Sequence, residues 1–257
     1  MRRFKHSGTL GDIIYSLPIM KYLGGGEFHL HLGQVDWIAN YYYKTTAPEY
    51  QRGKMDQKDA EFIRRFFEYQ SYISKFDTLD VKRTEITHNL DRFRPVFVGH
   101  PTNYINIYCQ VFGINDPTVQ KQIINTPWLE VPEPIHIDNR PIVINRTSRG
   151  WTPQEKNPLW DLWRLEQMGQ KSIFIGLPNE YEEFKKFSGW NLAYQPVTDM
   201  MEMAQIIAGA ELFIGNQSVA LSIAQGLRVP YRFERRRDLP LERNESYFPT
   251  HENGETF

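Results

Sequence analysis

One local pattern occurs twice in this chain, and its repetition limits the possible folds more than any other feature. The run His6-Ser-Gly-Thr-Leu-Gly-Asp-Ile-Ile-Tyr-Ser-Leu-Pro18 reads as a strand end, a tight turn with glycine and an apolar helix. About 200 residues further on, Phe213-Ile-Gly-Asn-Gln-Ser-Val-Ala-Leu-Ser-Ile-Ala-Gln-Gly-Leu-Arg-Val-Pro230 reads the same way. A turn of this kind aims the unpaired N–H groups of a helix start at whatever binds there, and anions suit that place. One such turn in each half predicts a ligand held between two α/β domains.

The second half alternates regularly. Strand patterns at residues 141–145, 172–177, 192–197, 211–215 and 231–234 are separated by helical patterns at 158–168, 179–187 and 199–210 and by a helix carrying Ala220, Ile223, Ala224 and Leu227 at helical spacing. Strands alternating with helices of this length predict βαβ units, a parallel sheet and right-handed crossovers with helices on both faces. Asp199 with Glu202 predicts a capping box. The first half is less regular. Strands are expected at 3–6, 27–32, 73–79 and 84–88, and helices at 10–23, 55–69 and 103–112, with Pro18 bending or shortening the first helix. Residues 114–140, rich in Pro, Asn and Asp, read as a connection. The polar tail at 250–257 reads as poorly ordered or folded back.

Composition removes several classes of function. The 30 basic and 31 acidic residues nearly cancel, which argues against a general nucleic-acid binder, although Arg232 to Arg237 forms a local basic run. The single cysteine, Cys109, excludes an internal disulfide and lies in an apolar helical stretch as a packing thiol. No apolar run approaches the roughly 18 residues of a membrane span, and no secretory leader is apparent, so a cytoplasmic setting is expected. The histidines are scattered. His29 and His31 share a strand face, read as a solvated edge, and no metal site is expected.

At the two turns the chain resembles the ADP-heptose:lipopolysaccharide heptosyltransferases. Gly11-Asp12 followed by an apolar helix with Leu17-Pro18 is similar to the start of that family, and strand-Gly215-Asn216-x-Ser218-helix with Val229-Pro230 is similar to its later motif. Residues 144–151 sit where the family has the first strand and phosphate-contacting loop of its C-terminal domain, and residues 173–180 sit at the next strand end. The family's acidic residue after Gly-Asn is Gln217 here, its following glycine is Val219, and its helix histidine is Ser222. The resemblance implies an α/β, GT-B-like fold with two Rossmann-like domains facing across a cleft. It implies an acceptor-side domain at residues 1–125, a linker at 126–140, a nucleotide-sugar domain at 141–240 and a tail at 241–257.

The resemblance also implies an activity: transfer of a sugar from a nucleotide-diphospho-sugar to an acceptor hydroxyl, inverting and without a metal or other cofactor. The partners are then a nucleotide-sugar donor and an acceptor glycan, lipid-linked sugar or modified DNA base. By position alone Asp12 reads first as an N-cap, and the resemblance turns that reading to the family's base, with which it aligns. His6 and Ser7 end the first strand; His6 is a candidate for phosphate contact or base and Thr9 for phosphate contact, with Gly11 in the turn. Arg146, Thr147 and Arg149 follow a buried strand, and Arg suits bidentate phosphate contacts. Gly215, Asn216, Gln217 and Ser218 form the second turn, where Asn216 or Ser218 also reads as a simple N-cap. Glu180 and Glu234 are candidates for ribose hydroxyls. Two other readings stay open: a phage-type DNA-base-modifying sugar transferase using the 232–237 run, and a non-catalytic nucleotide-binding module.

Overall fold

The computed structural model describes residues 1–33, 55–78, 85–93, 96, 103–147, 168–234 and 254–256. They divide into two compact units, the first ending at Glu130 and the second beginning at Val131.

In the first unit β1 (Arg3–His6), α1 (Leu10–Tyr22), β2 (Gly26–Leu30), α2 (Gln57–Tyr69), β3 (Ile73–Thr78), β4 (His88–Asn89), α3 (Tyr104–Val111) and α4 (Pro117–Asn125) follow in order. The strands are parallel and lie in the order β3-β2-β1-β4. Register gives the sheet two different faces. Phe4, Phe28 and Phe76 align on one, Lys5, His29 and Asp77 on the other. The aromatic face is covered by α2, whose Phe67 ring lies 5.0 Å from Phe28 and 5.3 Å from Phe76. Asp56 and Asp59 close a capping box that starts this helix.

Helix α1 is buried from Ile13 to Met20 and packs against α3 and α4. It runs through Pro18 to Tyr22, one residue short of the expected end, so Pro18 does not cut it off. It is followed by three glycines. A side chain at Gly25, with φ +71°, would place its Cβ 2.2 Å from the Tyr72 carbonyl, so only glycine fits there.

The expected strand at 84–88 pairs only at His88–Asn89, because Asn89 turns its side chain onto the Asp91 N–H and starts a 3-10 turn, Leu90–Arg92. The stretch expected to be a plain connection contains α4, capped by Asp116 with Pro117 in its first turn. The connection is then pinned to its own unit: Glu130 meets Lys21 at 3.1 Å and both the N–H and hydroxyl of Ser71 at 2.9 Å.

The second unit contains β5 (Ile142–Asn145), β6 (Ser172–Gly176), α5 (Pro178–Ser188), β7 (Ala193–Pro196), α6 (Met200–Ala208), β8 (Leu212–Asn216), α7 (Val219–Leu227), β9 (Tyr231–Glu234) and β10 (Gly254–Thr256). All are parallel, in the order β10-β9-β8-β5-β6-β7. The tail thus contributes an edge strand. Part of the core is built from Ile142, Ile144, Phe174, Tyr181, Phe184, Leu192 and Ile214. Tyr181 stacks on Tyr194 at 4.4 Å and sends its hydroxyl to the Leu192 carbonyl. At α6 the expected capping box is offset by one residue. Asp199 accepts the Glu202 N–H, but the Glu202 carboxylate takes the N–H and hydroxyl of Thr198, each at 2.7 Å. The helix expected at 158–168 lies outside the described residues except for Met168. Cys109 is buried, and burial pushes its thiol up to about 12.

Phe67 is fully buried among Phe28, Phe66 and Phe76. Phe67→Ala is expected to cost about 3–5 kcal/mol, read as a lowered midpoint in chemical denaturation of the full chain.

Candidate functional site

In a parallel α/β sheet, ligands bind outside the C-terminal strand ends at the point where the strand order reverses. The first unit runs outward from β1 to β2 and β3, then returns to place β4 on the other side of β1, so its switch point lies between β1 and β4. The second runs from β5 to β6 and β7, then returns to place β8 beside β5, so its switch point lies between β5 and β8. The two turns of the sequence pattern leave β1 and β8, so each opens on a switch point.

At the first switch point the turn is held by buried polar side chains. Asp91, 3% exposed, accepts the Ser7 N–H at 3.0 Å and pairs with Lys5 at 3.2 Å. His6 is wholly buried, and its Nδ1 accepts the Gly8 N–H at 2.8 Å. In the neutral ring the proton then sits on Nε2 and donates to the Tyr108 hydroxyl at 2.8 Å, which donates to the Asp12 carbonyl at 3.1 Å. This corrects the reading of His6 as a phosphate ligand or base, because both ring nitrogens serve the frame of the turn. Burial works against the Asp91 carboxylate, yet its pKa is held below the usual range, with the Ser7 N–H and the Lys5 ammonium both favouring the charged form.

Thr9 is the N-cap of α1, and its side chain makes no capping bond. Asp12 is therefore the third residue of the helix, half-buried, rather than the cap. A Cβ at Gly11 would meet nothing within 4 Å. The first turn of α1 is thus open beside Gly11, with its N–H groups not covered by the N-cap side chain. By contrast, side-chain oxygens of Asp56, Asn103, Asp116 and Asp199 cap α2, α3, α4 and α6.

At the second switch point Asn216, ending β8, clamps the Thr147 peptide from both sides: its Oδ1 accepts the N–H at 3.1 Å and its Nδ2 donates to the carbonyl at 2.7 Å. Asn145, ending β5, donates to the Ile175 carbonyl at 2.9 Å and accepts from the Ser218 hydroxyl at 3.3 Å. Ser218 is the N-cap of α7 by position, but its hydroxyl faces Asn145 and leaves the helix N–H groups uncapped. Gln217 beside it is half-buried. Gly215 is required by packing, since a Cβ there would lie 2.4 Å from the Asn145 carbonyl oxygen.

Arg146 and Glu234 form a buried ion pair, with Nε 2.7 Å and Nη2 3.5 Å from the carboxylate oxygens. Their side chains are 4% and 0% exposed. Arg146 thus ties β5 to β9 with its charge neutralised, and Glu234 is a structural counter-ion rather than an exposed ribose ligand. Glu180 is not a loop residue. It lies in the first turn of α5, with Oε2 accepting the Leu177 N–H at 2.9 Å, and burial raises its pKa. Arg149 lies outside the described residues. Arg232, Phe233 and Glu234 belong to interior strand β9, so the first half of the basic run is sheet. Sequence reasoning missed Asp91, Lys5, Tyr108 and Asn145. The Asn89-Leu90-Asp91 spacing, which favours a side-chain turn after a strand, was the available signal for Asp91.

Among the described residues no group of His, Cys, Asp and Glu is arranged to hold a metal ion, and no helix is long and apolar enough to cross a membrane. No protein-family model and no curated protein matches the sequence. Solved structures do match. The glycosyl transferase family 9 protein from Veillonella parvula shares 11% identity, with 99% of this chain and 84% of that one covered and a TM-score of 0.62. The E. coli ADP-heptose lipopolysaccharide heptosyltransferase II shares 10%, with 100% and 90% covered and a TM-score of 0.54. The iron-containing dodecameric glycosyltransferase TibC of enterotoxigenic E. coli shares 15%, with 96% and 60% covered and a TM-score of 0.54. The protein is therefore an α/β protein of the GT-B-like class. Within that class its fold is that of the family 9 transferases and heptosyltransferases.

Asp91→Asn is expected to destabilise the chain. A depressed carboxylate pKa stabilises the fold above the unfolded value of about 3.9, and that contribution disappears as pH falls through the folded value. The difference between wild type and Asp91→Asn in thermal melts should be full at pH 6–7 and shrink as the pH drops below about 4.

Proposed function

We propose that the protein is a glycosyltransferase that moves a sugar from a nucleotide-diphospho-sugar to an acceptor hydroxyl, with inversion and without a metal. The observation that carries this reading is the pair of helix starts, α1 and α7. Each opens on a switch point, and neither receives a capping bond from its N-cap side chain. Helix starts of this kind suit anions and carboxylate chemistry. The fold is shared with proteins described as using ADP-heptose, which supports a nucleotide-sugar donor.

In this reading the second unit binds the donor. The start of α7 stabilises the diphosphate, and Thr147, whose hydroxyl is buried without a hydrogen-bond partner, supplies a further donor to it. Arg146 acts through position: its pair with Glu234 anchors the residue just before Thr147. In the first unit Asp12 takes the proton of the acceptor hydroxyl as the bond to the sugar forms and the nucleoside diphosphate leaves. Its peptide is fixed by Tyr108. The base, the sugar and the acceptor follow from the test below.

Thermal melts against ADP, UDP, GDP, CDP and their common sugar conjugates test the donor class. A ligand at 100 times its dissociation constant stabilises by about 2.7 kcal/mol, or about 5–10 °C for a chain of this size. One nucleotide is expected to give such a shift, and Thr147→Val to reduce it; no shift with any nucleotide overturns the reading.

Once the donor is known, Asp12→Asn should keep the nucleotide shift and lower transfer by at least about 100-fold. EDTA should leave transfer unchanged. Full transfer by Asp12→Asn removes the base assignment. A nucleotide shift with the sugar-nucleotide left intact under all acceptors favours the non-catalytic module.

A further inference from the structure

Among the described residues, three buried side-chain atoms near the C-terminal edges of the parallel strands have no hydrogen-bond partner: Thr147 Oγ1 in the second unit, and His31 Nδ1 and Asp91 Oδ2 in the first, the last engaged in the ion pair with Lys5. Thr147 is absorbed by the donor reading above. His31 is not. It directly follows β2, and its N–H donates to the His6 carbonyl at 2.9 Å, so it stands beside the residue that opens the β1–α1 turn. Alternation places its side chain on the polar face with His29, whose register partner is Lys5. The two histidines differ. His29 has its Nε2 3.1 Å from Glu27, whereas His31, only 5% exposed, leaves Nδ1 unmet. Buried polar atoms are nearly always paired, so an unmet one at a ligand-binding edge marks a place that a ligand completes.

The surrounding charges define the ligand. The titratable groups acting on His31 are Lys5 and Asp91, and these two are paired with each other at 3.2 Å. Burial first, then Lys5, hold the imidazole pKa below its ordinary value against the opposing pull of Asp91. At neutral pH the ring is uncharged and offers one N–H and one lone pair. Lys5, the described cation acting on His31, is spent on Asp91, so beside the ring an anion meets no unpaired ammonium among the described residues. A hydroxyl, which both donates and accepts, matches a neutral imidazole.

We propose that His31 is an acceptor-binding residue whose Nδ1 exchanges a hydrogen bond with a hydroxyl of an uncharged sugar or polyol at the C-terminal edge of β1 and β2. The word acceptor rests on the transferase reading; the binding site does not. Saturation-transfer NMR of the full chain with free D-glucose, D-galactose and D-mannose tests it, with inorganic phosphate as competitor. At least one sugar is expected to give a signal that phosphate leaves unchanged. His31→Ala should weaken that binding about five-fold or more, the worth of one hydrogen bond. His31→Asn, which keeps a polar atom near the Nδ1 position, and His29→Ala should retain it.

His31→Leu guards against a folding artefact. It fills the space without a polar atom, so it should melt no lower than wild type while losing the sugar signal. The proposal is overturned by silence from all three sugars, by displacement with phosphate, by undiminished binding in His31→Ala, or by a His31→Leu protein that melts lower. The nucleotide melts are independent of these results. Sugar binding without a nucleotide shift removes the transferase reading and keeps the site; a nucleotide shift without sugar binding does the reverse.

Discussion

Where a parallel sheet reverses its strand order, the departing loops leave backbone N–H and C=O groups that no ladder satisfies, and every buried one of them needs a partner. This constraint organises both units. In the first, Asp91 and His6 accept the N–H groups of Ser7 and Gly8, and Tyr108 donates to the Asp12 carbonyl. In the second, Asn216 satisfies both sides of the Thr147 peptide, and Asn145 donates to the Ile175 carbonyl. The polar residues that look catalytic in the sequence are largely those that meet this requirement. Once they are spent, the groups still open at the strand ends are few, and binding depends on those.

The Arg146–Glu234 pair shows how partner choice decides a role. An arginine at a strand's C-terminal end is well suited to phosphate, but burying it requires a counter-ion and full hydrogen bonding. Glu234 supplies that counter-ion from β9, two strands away in the sheet order β9-β8-β5. The pair therefore crosses over β8 and braces the strand ends around Gly215, where a Cβ would already touch the Asn145 carbonyl. Removing either partner would strand a buried charge. In the proposed reading, phosphate would be left to elements that carry only partial charge, namely the α7 start and the Thr147 hydroxyl.

Strands β5, β6, β8 and β9 were readable in the sequence because strands buried on both faces are short runs of β-branched and aromatic residues between turn residues, as in Ile142–Asn145 and Ser172–Gly176. Helix α7 was readable from Ala220, Ile223, Ala224 and Leu227 at helical spacing. β4 was misplaced because two paired residues leave no period, and α4 was missed because its Pro and Asp read as breakers although Asp116 and Pro117 form a helix start. For the site, both turns were legible, but not what their residues touch. Asp91 is separated from Ser7 by 84 positions and Asn145 from Ser218 by 73, and no local pattern encodes such pairs.

The two carboxylates beside the switch points show the same physics with opposite outcomes. Asp91 and Glu180 both lose solvation on burial. Asp91 gains a backbone N–H and an ammonium, and its charge is favoured; Glu180 gains the Leu177 N–H and Asn145, with Glu183 as a like charge, and burial prevails. A carboxyl favoured as an anion makes a firm structural clamp and a poor proton acceptor. Neither Asp91 nor the engaged His6 therefore competes with Asp12 for the proposed role of base. His31 differs from all of them because its nearest charges already satisfy each other. A neutral group with one unmet nitrogen selects by hydrogen bonding rather than by charge, so the His31 ring is suited to a hydroxyl, while the uncapped starts of α1 and α7 are suited to an anion.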